Sequence, residues 1–178
     1  MAMDANGNFV VVWASDGQDG DSWGIFAQRF NADGTKNGAE FRVNTITTNF
    51  QRYPSVSMDA TGNFVVTWTN NSGASNGGED IYARRYNSSG AAQGAEFLVN
   101  QTTAGTQRFS QVKMLKTGGF IITWTGEDSG GPASLRGDTG PMGNRSREQM
   151  GINFGSMRPR QVCKTLRQLQ QIVVVTLQ

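Results

Sequence analysis

A self-repeat constrains this chain more than any other property of its sequence. The segment MDANGNFVVVWAS at residues 3–15 returns as MDATGNFVVTWTN at 58–70 and as MLKTGGFIITWTG at 114–126. GIFAQRFNADGTKNGAEFRVN at 24–44 returns as DIYARRYNSSGAAQGAEFLVN at 80–100. Trp13, Trp68 and Trp124 stand 55 and 56 residues apart, and Phe41 and Phe97 stand 56 apart. A fixed period of this length means one supersecondary unit built several times, each burying an apolar face on the next. Residues 1–54 form a first repeat truncated at its start, 55–110 a second, and 111–130 part of a third.

Each unit reads as four short strands. In the second repeat, Ser55 to Asp59 is one strand, ended by the turn Ala60-Thr61-Gly62-Asn63. Phe64 to Thr69 is an apolar, β-branched run of the kind covered on both faces. Ile81 to Tyr86 alternates Ile81, Ala83 and Arg85 against Tyr82, Arg84 and Tyr86, which predicts a half-buried strand with its aromatics on one side. Asn87 to Gly90 makes a turn into the short strand Glu96 to Asn100. Asp33-Gly34 and Ser89-Gly90 sit where hairpins need glycine. Four strands per unit at this period predict an all-β chain of tandem antiparallel blades, an incomplete β-propeller-like array. The alternative with the same strands is a β-sandwich. The recurring Trp is then a packing residue between neighbouring blades.

The pattern D-x-x-G-N-F-V-V-x-W, then I-[FY]-A-x-R-[FY]-N-x-x-G, then G-A-E-F-x-V-N resembles a tandem repeat of large secreted or surface-attached bacterial proteins. That resemblance covers residues 1–130. It implies an extracellular or cell-surface parent protein, a scaffold or binding role beside calcium-binding or adhesion modules, and no catalytic residues.

Charge and composition change after residue 130. The chain carries 16 Lys+Arg and 14 Asp+Glu; residues 1–130 hold 9 and 12 of these, and 131–178 hold 7 and 2. The repeats are therefore mildly acidic, which excludes a basic nucleic-acid-binding surface. Segment 131–178 is expected to be an irregular, poorly folded tail, and the genetic code suggests its origin. Pairing the third base of each codon with the first two of the next, Ala133 to Thr139 permits I-F-A-R-R-Y, and Asn153 to Met157 permits F-R-V-N. Arg167 to Leu177 permits S-V-A-T-D-x-x-G-N-F. The repeat thus continues in a neighbouring frame, as a one-base frameshift near residue 131 would produce. On that reading Arg136-Gly137-Asp138 is not an integrin-binding tripeptide, and Cys163 is not a selected thiol. Ile172 to Val175 is then an uncharged, β-prone aggregation hazard.

Other classes fall away on composition. With no His there is no imidazole base and no His-ligated metal. One Cys makes neither an internal disulfide nor a zinc site. No apolar run is long enough to span a membrane, and the first residues carry no signal peptide in this chain. No nucleophile–base pair, paired carboxylates or phosphate loop stands out, so no enzyme is expected. A sialidase-like hydrolase would need a Tyr/Glu pair and an Arg cluster.

The remaining candidates are binding residues. Acidic side chains gather after each Trp strand: Asp16, Asp19 and Asp21, then Glu79 and Asp80, then Glu127 and Asp128. Oxygen-rich loops of this kind suit Ca²⁺, while the ordinary turn preference of Asp, Asn and Gly favours a solvated polar turn with no cofactor. Arg29, Arg84 and Arg85 could line a groove for an anionic glycan, or lie over neighbouring aromatics. Trp23 has no counterpart in the second repeat and could be a sugar-stacking platform. An incomplete array leaves apolar blade edges open, which predicts self-association.

Overall fold

A computed structural model of the chain describes residues 1–71, 78–101, 103–116 and 119–126, together with the backbone of 171–175. Every regular element among them is a β-strand. The first sheet contains β1 (Ala2–Met3), β2 (Phe9–Asp16), β3 (Trp23–Phe30) and β4 (Phe41–Arg42), in that order and antiparallel throughout. The second repeats it with β5 (Phe50–Met58), β6 (Phe64–Asn71), β7 (Asp80–Tyr86) and β8 (Phe97–Leu98). The third holds β9 (Gln107–Met114), β10 (Phe120–Gly126) and β11 (Gln171–Val175). The chain is all-β, built of tandem antiparallel blades.

The D-x-x-G-N turns explain the first hairpin of each blade. The Asp4 carboxylate accepts the N–H groups of Asn6 and Asn8 at 2.8 and 2.9 Å. Asp59 does the same for Thr61 and Asn63 at 2.9 and 3.0 Å. Each carboxylate also takes the amide of its Asn partner, at 2.9 Å in both turns. Such side-chain capture of turn N–H groups is why Asp and Asn favour these positions. Gly62 is required twice over: its φ is +90°, and a Cβ there would come within 3.1 Å of Ser88 Cβ. The third turn keeps the bond from Leu115 N–H to the Gly119 carbonyl at 3.1 Å. It has Leu115 and Gly119 where the others have Asp and Asn, and so lacks the side-chain clasp.

Two separate cores lie between the three sheets. Val10, Ile25, Ala27 and Val43 of the first sheet pack on Phe64, Val66, Trp68 and Tyr86 of the second. The opposite face of the second sheet, with Val65, Ile81, Ala83 and Val99, packs on Val112, Phe120, Ile122 and Trp124 of the third. Strand alternation makes this possible, since successive side chains of β6 serve different cores. Trp68 and Trp124 therefore each face the preceding sheet, as a residue that packs between blades must. A β-sandwich would close two sheets on one core; three sheets in series around two cores is a different architecture.

The strands depart from the sequence expectation at their edges. β5 begins at Phe50 rather than Ser55, because Phe50, Gln51 and Arg52 pair with Asn71, Asn70 and Thr69 before a register shift between Arg52 and Ser55. Pro54 has no N–H to give a ladder, and a bulge is where a sheet accommodates it. The outer strand expected from Glu96 to Asn100 is only Phe97–Leu98. β11 lies inside the segment expected to be irregular. Its backbone pairs antiparallel with β10, Phe120 opposite Val175 and Trp124 opposite Gln171, on the side of β10 that β7 occupies on β6. The codon-frame argument over residues 133–170, Arg136-Gly137-Asp138 and Cys163 lie outside the described residues.

Candidate binding surfaces

Strand register brings most of the sequence-derived candidates to one end of the blades. Asp16 pairs with Trp23 at the β2–β3 end, and Asn70 with Asp80 at the β6–β7 end. Gln51 and Arg52 open β5, and Gln107 and Arg108 open β9. Together these strand ends form a rim that crosses all three sheets.

Buried amides hold the rim. The Asn44 Oδ1 accepts the Ile25 N–H at 2.7 Å, and Asn100 Oδ1 accepts the Ile81 N–H at 2.7 Å. Each Asn substitutes for a missing ladder partner, and both are almost wholly buried. Asn44 Nδ2 reaches Asp19 Oδ2 at 3.1 Å and Gln51 Oε1 at 3.0 Å. Asn100 Nδ2 donates to Asp80 Oδ1 at 2.7 Å. In the third sheet, Gln107 Oε1 accepts the Trp124 indole N–H at 3.2 Å.

These contacts occupy the acidic residues. Asp19 is tied to Asn44, and Asp21 accepts the Asn49 N–H at 2.8 Å. Glu79 is buried and forms an ion pair with Arg108, while Asp80 is bound by Asn100. Asp16 is exposed. Among the described residues no three carboxylates converge. Glu127 and Asp128 lie outside the described residues.

Trp23 is half-buried, with the Arg52 guanidinium 5.1 Å from its ring centroid; the same guanidinium stands 4.5 Å from the Phe50 ring. Arg52 thus sits between two aromatics from neighbouring sheets, a cation–π arrangement worth about 0.5–2 kcal/mol. One partner is the very ring singled out as a platform.

The three arginines do not gather in one groove. Arg84 and Arg85 are consecutive on β7 and so point to opposite faces. Arg84 donates to the Val43 carbonyl at 2.9 Å and stands 5.8 Å from the Tyr86 ring centroid. Arg85 reaches the Gln93 carbonyl at 3.4 Å. Burial pushes the Tyr86 phenol up to about 12, against the opposing pull of Arg84. Arg29 is at the other end of β3, beside a small polar cleft of about 170 Å³. It donates to the Ser88 carbonyl at 2.7 Å and to Asn37 Oδ1 at 3.1 Å, and so bridges the first sheet to the β7–β8 turn. Gly90 makes room for it: a Cβ there would lie 2.7 Å from Arg29 Nε.

The sequence held a further rim signal. Gln51-Arg52-Tyr53 and Gln107-Arg108-Phe109 are 56 residues apart, in step with the repeat. Both Gln side chains are buried. Both aromatics have left-handed backbone, φ +56° at Tyr53 and +57° at Phe109. They are 44% and 53% exposed, and their ring centroids are 4.7 Å apart at an interplanar angle of 56°. A bulky residue held in this region costs about 1–3 kcal/mol. Nearby, Arg52 Nε, Thr69 Oγ1 and both amide atoms of Asn70 are buried with no hydrogen-bond partner among the described residues. Orphans of this kind are rare in folded proteins and cost about 1–3 kcal/mol apiece.

No protein-family model matches the chain, and no curated protein matches it significantly. Among solved structures it is similar to the endo-arabinase from Bacteroides thetaiotaomicron, with 17% identity over 68% of this chain and a TM-score of 0.44. The match spans about half of that protein, 48% of its length. A likeness this loose carries no argument about activity. Among the described residues no helix is long and apolar enough to cross a membrane.

Proposed function

We propose that this chain is a non-enzymatic repeat module of structural or adhesive type, part of an extracellular protein, and that it works by stacking repeat on repeat. One observation carries the reading. The outer face of the first sheet presents Phe9, Val11, Trp13 and Phe30, the repeat positions of Phe64, Val66, Trp68 and Tyr86. In the second sheet those four are covered by the first sheet and lie in its core. In the first they are only half-buried. The rings are already arranged for the same contact. Phe9 and Phe30 stack at 4.9 Å and 10°, and Phe64 and Tyr86 at 4.8 Å and 8°.

A surface with this shape and chemistry fits another unit of the same repeat. The complementary face has the character of the third sheet's outer side, where Ile121 and Thr123 stand at the repeat positions of Val65 and Thr67. Contact between unlike faces is head-to-tail and produces either a closed ring or a growing filament. Sedimentation velocity over a concentration series tests this with the second copy as occupant. The chain should associate, and Val11→Lys should weaken association about tenfold or more while leaving the β-sheet circular dichroism intact. A wild-type monomer at every concentration, or equal association by the variant, rejects it.

A second reading, a glycan-binding module, is favoured by the exposed aromatics of the rim. It is independent of stacking, which uses sheet faces rather than strand ends.

A further inference from the structure

We propose that the starts of β5 and β9 form a carbohydrate-binding shelf, on which Tyr53 and Phe109 stack against the apolar faces of neutral sugar rings. This rests on the glycan-binding reading and moves its centre from Trp23 to two residues of the repeat itself.

Both rings stand on strained backbone. Tyr53 precedes Pro54, which pushes its backbone toward extended conformations; Phe109 precedes Ser110, which does not. Both nevertheless have the same left-handed φ. The conformation therefore comes from the blade and not from the local sequence. Each residue sits at a break in strand register, between Arg52 and Ser55 in one sheet and opposite Thr123 to Thr125 in the other. A bulge re-aims a side chain, and here it aims an aromatic ring outward in two successive repeats. Neither ring lies in a core; each packs on the other at the surface. Glycine or asparagine would take this backbone with less strain. Binding is the function that a solvent-facing ring in this conformation can serve.

Polar groups flank the rings. Stacking platforms orient their ligands with a few planar polar groups beside an apolar surface. Arg108 adjoins Phe109 in sequence, is 47% exposed, and is held by its ion pair with Glu79. The buried Glu79 carboxylate fixes the guanidinium, whose exposed N–H groups are left to donate to the hydroxyls of a sugar ring. Carboxylates outnumber guanidinium groups along the rim, which disfavours an anionic ligand. Asp19 and Asp80 already accept from internal amides and Glu79 is paired with Arg108, so few of their oxygens are left to ligate a cation. An uncharged, hydroxyl-rich ring is what remains.

Isothermal titration of the full chain with neutral oligosaccharides of glucose, mannose and xylose, each to about 1 mM, tests the shelf, with oligolysine as the cationic comparator. At least one sugar should bind. Tyr53→Ala and Phe109→Ala should each weaken that binding about tenfold or more. Phe109→Asn should weaken it without lowering the melting temperature, because Asn tolerates left-handed backbone; a structural role for the ring would lower the melting temperature and spare the sugar. If a sugar binds equally well to both Ala variants, the shelf is wrong and the glycan reading survives. If no sugar binds, both are wrong. If oligolysine binds instead, and only with the rings intact, the rim is a peptide dock and the carbohydrate assignment fails.

Discussion

Trp13 and Trp68 occupy the same position in successive repeats, on strands of nearly the same sequence, yet their surroundings differ. Trp68 is 1% exposed, packed between the first two sheets, whereas Trp13 stands half-buried on the outer face of the first. The flanking positions follow suit, Phe64 and Val66 in the core and Phe9 and Val11 outside it. The comparison shows that the stabilising role of a repeat residue belongs to the interface it joins and not to the residue. It also shows that each blade carries two unlike apolar faces, so stability grows with the number of stacked neighbours.

The sharpest test of that contrast is truncation. Trp68→Ala should cost about 3–5 kcal/mol in urea denaturation, as large-to-small changes in a closed core do. Trp13→Ala should cost less than about 2 kcal/mol at concentrations where the chain is monomeric. Equal losses would mean that the outer face is as enclosed as the inner one. Next in size are the buried amides. Asn100→Ala strands the Ile81 N–H and should cost about 1–3 kcal/mol, with Asn44→Ala similar; a thermal melt of each variant compares the two repeats directly.

The turns allow a gain rather than a loss. Replacing Leu115 by Asp, with Gly119 kept because its φ is +78°, should give the turn a carboxylate to accept backbone N–H groups as Asp4 and Asp59 do, raising stability by about 0.5–1.5 kcal/mol in the same denaturation assay. No gain would show that the third turn is held by something other than its backbone. Two further effects lie in pH. At Asp59 burial opposes ionisation, but hydrogen bonds from Asn63 and Thr61 outweigh it and hold the carboxyl below its ordinary 3.8. Its contribution is therefore present above 3.8 and lost as pH falls through the lower folded value. Tyr86 behaves in the opposite sense. Its phenol stays neutral in the fold up to about 12 but ionises near its ordinary 10.0 in the unfolded chain, so stability falls as pH rises between those values. Tyr86→Phe should flatten that alkaline decline, measured by stability at fixed urea.

What was legible in the sequence was whatever obeys a period. The alternation of Ile81, Ala83 and Tyr86 placed β7 and its two faces, and the spacing of the tryptophans placed the blades. The acidic loop residues were visible as a group, but their hydrogen-bond partners were not. Asn44 and Asn100 close the G-A-E-F-x-V-N pattern as plain polar residues, and nothing local says that they replace a backbone partner of Ile25 and Ile81. The Gln-Arg-aromatic triplet was hidden for another reason. Pro54 interrupts the strand pattern at the bulge, and a left-handed φ at Tyr53 or Phe109 leaves no mark in residue type, since neither is a residue that favours it. The third sheet's last strand was the least legible. It comes from a segment whose composition shares nothing with the repeat.

That last pairing has a kinetic consequence. Nearly all contacts within the first two sheets join strands adjacent in the chain, closed by short hairpins. β11 instead meets β10 only after the chain has run from residue 126 to residue 171. Loop closure over such a span costs entropy before any contact repays it, and non-local strand pairing is the slow event in β-protein folding. The first two blades are thus expected to form early as a unit, with the third completing its sheet in a later and slower phase. Until then the free edge of β10 remains open to any other strand, and the rate of that final step sets how long the edge is exposed.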